Sequence, residues 1–294
     1  MSLLNLLDTL SACARNLWSS PRESLQNLAG HPEAKRGCEV ARGWTITSNC
    51  EWPEAGTSLT GNDILDQPLR AYFDEVKEGF GVWKWLHYFE LYDRHLRKFV
   101  GRPVTVAEVG VYSGGSLPMW RSYFGTGCRM HGVDIQEECK TYTNSYTTIH
   151  VGDQADREFW KRFRGAVPHV DVFIDDGGHE PEQQMVTLEE MLHHLSPGGV
   201  YICEDVHGTG NRFGTFVHSL ADELNALNLV PQQKLASVCT PFQAAINSVH
   251  LYPFVVVIEK RDAVLQTLSA PKHGTEWQPF FDRSGISAGH KRSG

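Results

Sequence analysis

Residues Val170 to Gln184 read VDVFIDDGGHEPEQQ. An apolar run, Val170-Asp171-Val172-Phe173-Ile174, stops at two adjacent carboxylates, Asp175 and Asp176, and a Gly-Gly turn then leads to His179. Carboxylates are costly inside a protein unless they are paired or metal-bound. A buried strand that ends in acid, acid, glycine, glycine, histidine therefore predicts the rim of a site.

Working outward, short apolar strands alternate with helical segments from Thr105 onward, the pattern of a parallel sheet covered on both faces. Strands are predicted over 105–112 (TVAEVGVY), 128–135 (CRMHGVDI), 148–152, 170–175 and 200–204. Helices are predicted over 116–124, 156–164, 182–195 and 213–227. The end differs, because 244–251 and 254–260 are two β-type runs separated only by Tyr252-Pro253, which predicts an antiparallel hairpin. The tail after Arg261 shows no clear element. Upstream, Val82, Leu86, Phe89, Tyr92, Leu96 and Phe99 recur at spacings of three and four and predict an amphipathic helix whose aromatic stripe is mostly core. From about Ser19 to Asp63 the chain has little periodicity and reads as an irregular arm. Before it, Leu3, Leu4, Leu7, Leu10 and Leu17 suggest a short helix, and the early Asp8 argues against a transit peptide. The expected division is thus an N-terminal helix and arm over 1–63, a helical lead-in over 64–103, a main domain over 104–262 and a tail over 263–294.

Bulk properties narrow the function. A net charge of -8 argues against nucleic acid or an anionic membrane as the main partner. No window approaches the roughly 18 to 20 apolar residues of a bilayer span. Seven scattered cysteines without a C-x-x-C pair point to free thiols in a reducing, cytoplasmic setting rather than to a disulfide framework or a zinc site.

In an open parallel sheet, ligands bind beyond the carboxyl ends of the strands. After the first predicted strand comes a glycine-rich turn, Gly110-Val111-Tyr112-Ser113-Gly114-Gly115-Ser116. It is neither a dinucleotide fingerprint, since Tyr112 takes the second glycine's place, nor a P-loop, since no Gly-Lys-Ser/Thr follows. After the second comes Asp134, placed to accept from ribose hydroxyls or, more plainly, to cap a helix. After the third come Asp153 and Gln154, which could read an adenine amino group. The fourth ends in Asp175, Asp176 and His179, and the fifth in Glu204, Asp205 and His207. Neighbouring fourth and fifth strands would gather these acids on one rim, where they repel unless a cation sits between them. An all-oxygen set suits Mg²⁺, Mn²⁺ or Ca²⁺.

The segments AEVGVYSGGSLPMW, GVDI, VGDQADREFW, VFIDDGGHEPEQQ, GGVYICEDVH and SVHLYPFVVVIEK, with KWLHYFELYDRHL before them, resemble metal-dependent class I S-adenosylmethionine (SAM) methyltransferases. They are most similar to the macrolide-sugar O-methyltransferases of the mycinamicin and tylosin type, with cephalosporin hydroxylase-type proteins as relatives. The resemblance runs from about Val82 to Lys260. It implies a Rossmann-like α/β fold with a seven-stranded, mostly parallel sheet closed by the C-terminal hairpin, and a homo-oligomer. It also implies that Asp176, Glu204 and Asp205 hold the metal and that His179 is the general base. SAM would be held by Glu108, by Gly110, Tyr112, Ser113, Gly114 and Ser116 of the turn, and by Asp134, Ile135, Asp153, Gln154 and Asp175. The acceptor would be a hydroxyl of a sugar or glycoside. Three readings stand beside it: a catechol-like or other small diol as acceptor, a non-catalytic SAM- or sugar-binding protein, and an NAD-linked oxidoreductase, which Tyr112 and the hairpin disfavour. Likewise His179 could serve only to orient Asp176.

Overall fold

A computed structural model describes residues 67–229, 236–271 and 273–274. The expected N-terminal helix and arm and the end of the tail lie outside these residues. The strands of the sheet are β1 (Val104–Val109), β2 (Cys128–Asp134), β3 (Thr147–Val151), β4 (Val170–Asp175), β5 (Leu195–Cys203), β7 (Ile246–Tyr252) and β8 (Val255–Lys260). The first five strands each stop at or just before a glycine or an acid. The order in the sheet is β3-β2-β1-β4-β5-β8-β7. Pairings among β1 to β5 are parallel, and β8 is antiparallel to both β5 and β7. This is the seven-stranded, mostly parallel sheet with a terminal hairpin that the sequence predicts.

The strands alternate between two cores, as a period-2 backbone sandwiched between helices must. In β4, Val172 and Ile174 join one core and Phe173 the other. The first core lies under α1 (Pro68–Glu75), α2 (Tyr88–Leu96) and α3 (Ser116–Phe124), and includes Leu69, Tyr92 and Trp120, all at most 1% exposed. The second lies under α4 (Arg157–Ala166), α5 (Pro181–Met191) and α6 (Arg212–Glu223), around Trp160, Phe173, Tyr201 and Phe213. Between β1 and β4 the connections diverge, and this switch point opens at the carboxyl edge beside the turn after β1.

Three local expectations are corrected. The helix expected from Val82 starts at Tyr88, because residues 81–85 cross the carboxyl edge of the sheet, where Lys84 and Trp85 pair with buried acids. Those pairings outweigh about one turn of exposed helix. The fifth strand begins at Leu195 and runs through Pro197-Gly198-Gly199, where the sequence suggested a helix end; Gly198 adopts φ +74 there. The tail holds β9 (Thr267–Ser269), which pairs antiparallel with β6 (Ala236–Val238) in a separate two-stranded sheet, and α7 (Pro241–Ala245) precedes β7.

Gly110 is where strand packing and the site meet. It has φ +87, and a Cβ there would fall 1.9 Å from the backbone oxygen of Asp176. Neither the left-handed backbone nor the contact tolerates a side chain. Gly110→Ala is expected to destabilise the fold by at least about 2 kcal/mol, combining overpacking with backbone strain. Urea unfolding at neutral pH would measure it, and an unchanged midpoint would contradict the close approach.

Candidate active site

The carboxyl edge of the sheet encloses a cavity of about 700 Å³, a normal size for a small-molecule site. Along the sheet edge, Asp134, Ile135 and Asp153 line it beyond β2 and β3, and Asp176, His179, Asp205 and His207 beyond β4 and β5; residues 81–85 also line it, with Gly81 packed against Ser113 and Gly115 of the turn after β1. Asp134 is fixed by two backbone amides, Tyr112 N to Oδ2 and Gln136 N to Oδ1, both at 2.9 Å. Asp134 itself lines the cavity. Tyr112 is 76% exposed, so its ring stands out from the turn and leaves the backbone approachable. Tyr112, His179 and Asp205 have φ of +49, +58 and +55, three of the four non-glycine residues with left-handed backbone among those described. All three line the cavity. Such residues cost on the order of 1–3 kcal/mol each, and they cluster where a site demands a particular side-chain direction.

Asp175 and Asp176, adjacent in sequence, point to opposite faces of the sheet, as consecutive strand residues do. Asp175 goes inward among α5 and β5, 1% exposed, and accepts from Gln154 Nε2 at 3.1 Å and Tyr201 Oη at 3.3 Å. Burial pushes its carboxyl up to about 7. Gln154 in turn accepts from Gly178 N at 2.7 Å, so this buried chain props the turn that carries His179. The turn is close-packed: a Cβ on Gly177 would meet Gln154 Oε1 at 2.0 Å.

Asp176 faces the cavity and meets Lys84, whose Nζ lies 2.6 Å from Asp176 Oδ2, 2.9 Å from Glu204 Oε2 and 3.8 Å from Glu108 Oε1. The side chains of Lys84, Glu204 and Glu108 are at most 2% exposed. Burial alone would lower the Lys84 ammonium, but Asp176, Glu204 and Glu108 outweigh it and hold it well above its ordinary value. Burial and Asp176 push Glu204 upward, against Lys84 and Tyr92. Tyr92 Oη donates to Glu204 Oε1 at 2.6 Å and Lys84 to Oε2, so the geometry seats the ionised form. One turn earlier on α2, Tyr88 Oη donates to Asp205 Oδ1 at 2.7 Å, and Trp85 Nε1 reaches the same oxygen at 2.9 Å. Of the expected stripe, Phe89, Tyr92 and Leu96 are core while Leu86 is exposed, and Tyr92 also reaches the site through its hydroxyl.

Of the residues expected to hold a cofactor, Gly110, Tyr112, Ser113, Ser116, Asp134, Ile135, Asp153 and Gln154 line the cavity. Glu108, Gly114 and Asp175 are not among its lining residues. Glu108 accepts from Ser116 Oγ at 2.6 Å and Trp120 Nε1 at 3.0 Å, and is closed off from the cavity. Of the expected metal ligands, Asp176 and Asp205 each turn an oxygen toward His179, at 4.0 and 3.6 Å from its Nε2. One donor atom from each of these three lies within 4.8 Å of the other two. Glu204 stands behind them with both oxygens engaged. Sequence reading missed Lys84, although a single lysine among Val82, Trp83, Trp85 and Leu86 was a visible signal. It also missed Tyr88, whose hydroxyl role no periodicity can show.

With this geometry in hand, comparison with known proteins is informative. Residues 107–206, from the end of β1 to just past β5, match the family model of a methyltransferase domain. Over 230 residues the chain is 28% identical to an 8-demethyl-8-alpha-L-rhamnosyl tetracenomycin-C 2'-O-methyltransferase of Streptomyces olivaceus, covering 71% of this chain and 59% of that protein. Over 145 residues it is 36% identical to a mycinamicin VI 2''-O-methyltransferase of Micromonospora griseorubida, covering 47% and 35%. Among solved structures, a MycE methyltransferase of the mycinamycin biosynthetic pathway, in complex with Mg and SAH, aligns with a TM-score of 0.53 at 27% identity, covering 67% of this chain and 54% of that one. The chain therefore spans under two thirds of the length of these relatives. No helix among the described residues is long and apolar enough to cross a membrane.

The site thus places a buried ammonium where the acids alone predict a cation. Lys84→Met is expected to lose about 3–5 kcal/mol of stability, because Glu204 would remain buried beside Asp176 without their shared partner. The double variant Lys84→Met/Glu204→Gln should recover part of that loss in denaturant titrations. A neutral effect of Lys84→Met would show that the ion pair does not hold the edge together.

Proposed function

We propose that this chain is a SAM-dependent O-methyltransferase acting on a hydroxyl of a sugar or glycosylated small molecule. The observation that carries the reading is the division of one cavity. A backbone turn with an amide-fixed acid, Asp134, lies at one end, and a histidine flanked by two carboxylates lies at the other. The first end suits the nucleoside of SAM, with Asp134 accepting from ribose hydroxyls. Sugar O-methyltransferase relatives and a neighbour holding Mg and SAH support the same assignment.

A divalent cation fits the donor set at the second end. Asp176 and Asp205 would hold it, with His179 at the same corner, and Glu204 would join only by releasing Lys84 or Tyr92. Once bound, such a cation lowers the pKa of an alcohol and fixes its position. The chain's own residues supply the rest. His179, left-handed and 38% exposed at its side chain, takes the hydroxyl proton on Nε2, where Asp205 Oδ2 stabilises the imidazolium. The acceptor oxygen attacks the sulfonium methyl in line; a C–O bond forms, the C–S bond breaks, and S-adenosylhomocysteine leaves. Lys84 keeps Asp176 and Glu204 from repelling each other, and Trp85 and Tyr88 fix Asp205.

Assayed with rhamnosylated and other glycosylated polyketides, the protein is expected to form S-adenosylhomocysteine, and EDTA should abolish it. Turnover undiminished by EDTA would refute the cation's part, and product formed only from catechols would shift the acceptor class. In the same assay His179→Ala should lose about 10²- to 10⁴-fold in rate. Its S-adenosylhomocysteine affinity by calorimetry should stay unchanged, and a fully active variant would remove His179 from the chemistry.

A further inference from the structure

On the far end of α2 from the cavity, His95 meets the C-terminal hairpin. His95 Nδ1 lies 3.2 Å from Glu259 Oε1, and His250 Nε2 lies 3.6 Å from Glu259 Oε2. The two imidazole rings are 4.6 Å apart, inclined at 58°. One donor atom from each of the three residues lies within 4.8 Å of the other two. None of the three lines the cavity.

We infer that His95, His250 and Glu259 form a second metal site, for a zinc-class transition ion, which clamps α2 to β7 and β8. The chemistry of the donors differs from that of the carboxylate rim. Two imidazoles and one carboxylate with a free fourth position suit Zn²⁺ and its congeners, not Mg²⁺. With metal–nitrogen and metal–oxygen distances of about 2.0–2.2 Å, the edge of a tetrahedron is about 3.3–3.6 Å. The two donor separations to Glu259 run to its two different oxygens, and His250 Nε2 also lies 2.9 Å from Ser248 Oγ, so binding would draw the three donors, now within 4.8 Å of one another, inward by side-chain rotation.

The arrangement is also braced from behind. His95 Nε2 lies 2.8 Å from Tyr252 Oη, which leaves Nδ1 toward the carboxylate, and Ser248 Oγ donates to Glu259 Oε2 at 3.1 Å. Such outer partners fix the tautomer and orientation of ligands. Register does the rest. His250 pairs with Val257 across the hairpin, two residues from Glu259, so both side chains stand on one face of the sheet as diagonal neighbours.

The competing reading is a plain His–Glu ion pair assisted by Lys98, whose Nζ is 3.8 Å from Glu259 Oε1. Lys98 is 43% exposed at its side chain, so it can turn to solvent when an ion arrives. Glu259 and His250, 20% and 35% exposed, leave an entry path. The clamp would matter because α2 also carries Tyr88 and Tyr92, which hold Asp205 and Glu204 in the cavity.

The test is a titration of the chelator-treated full chain with Co²⁺, followed by visible absorption and competed with Zn²⁺. One equivalent is expected to give the intense bands of four-coordinate cobalt. Those bands should weaken in affinity by at least about 10-fold in both His250→Ala and Glu259→Gln and persist in Asp205→Asn, which alters the other cluster. Zn²⁺ should also raise the melting temperature of the wild type and of Asp205→Asn, but not of His250→Ala. Absence of the bands in the wild type, bands lost only in Asp205→Asn, or His250→Ala and Glu259→Gln binding as tightly as the wild type would each overturn the site. None of these readouts depends on the proposed methyl transfer.

Discussion

The ammonium of Lys84, buried between Asp176 and Glu204, is the interaction on which the rest of the site depends. Two carboxylates that close adjacent parallel strands cannot both stay ionised in a dry interior without a counter-charge. Lys84 provides it from a segment that lies before the sheet in the chain. That requirement draws residues 81–85 across the carboxyl edge and delays α2 until Tyr88. The same crossing brings Trp85 to Asp205 and closes the cavity on one side. Charge compensation and cavity formation are one event.

From this follows a division of labour among acids that look equivalent in sequence. Glu108, Asp175 and Glu204 are buried and satisfied by neutral donors or by Lys84, and they hold elements in place. Asp134, Asp176 and Asp205 are half-buried and line the cavity, whereas Glu204 reaches its wall while fully buried. Helix α2 links the two groups. Its tyrosines, four residues apart and so on one face, reach one acid of each kind, while His95 on the same stripe ties the helix to the hairpin. Any displacement of α2 therefore reaches Asp205 directly.

Strain marks the same places. Tyr112, His179 and Asp205 adopt left-handed backbone at three different strand ends, each where the chain must turn a side chain toward the cavity rather than continue the strand. At Asp205 this departs from strand alternation, so that Asp205 and Glu204 both meet α2. At the neighbouring strand end, Asp175 and Asp176 keep the alternation and separate. A regular backbone at both ends would have offered one fewer carboxylate to the cavity.

The sequence by itself determined the order and type of the sheet elements. Apolar runs of five to seven residues, alternating with helical spacing and closed by two runs joined through Tyr252-Pro253, admit few other arrangements of a parallel sheet. It also named the strand ends as the site, because acids following buried strands have a folding cost that needs a reason. Only the tertiary structure decided which acid does what. Facing within a strand end depends on whether alternation is kept or broken, and a left-handed residue leaves no periodic signal. Nor could the partner of Asp176 and Glu204 be read from spacing, since Lys84 lies 92 and 120 residues away from them. The helical pattern from Val82 was real, but a long-range ion pair in a dry interior outweighs a local turn of helix exposed to water.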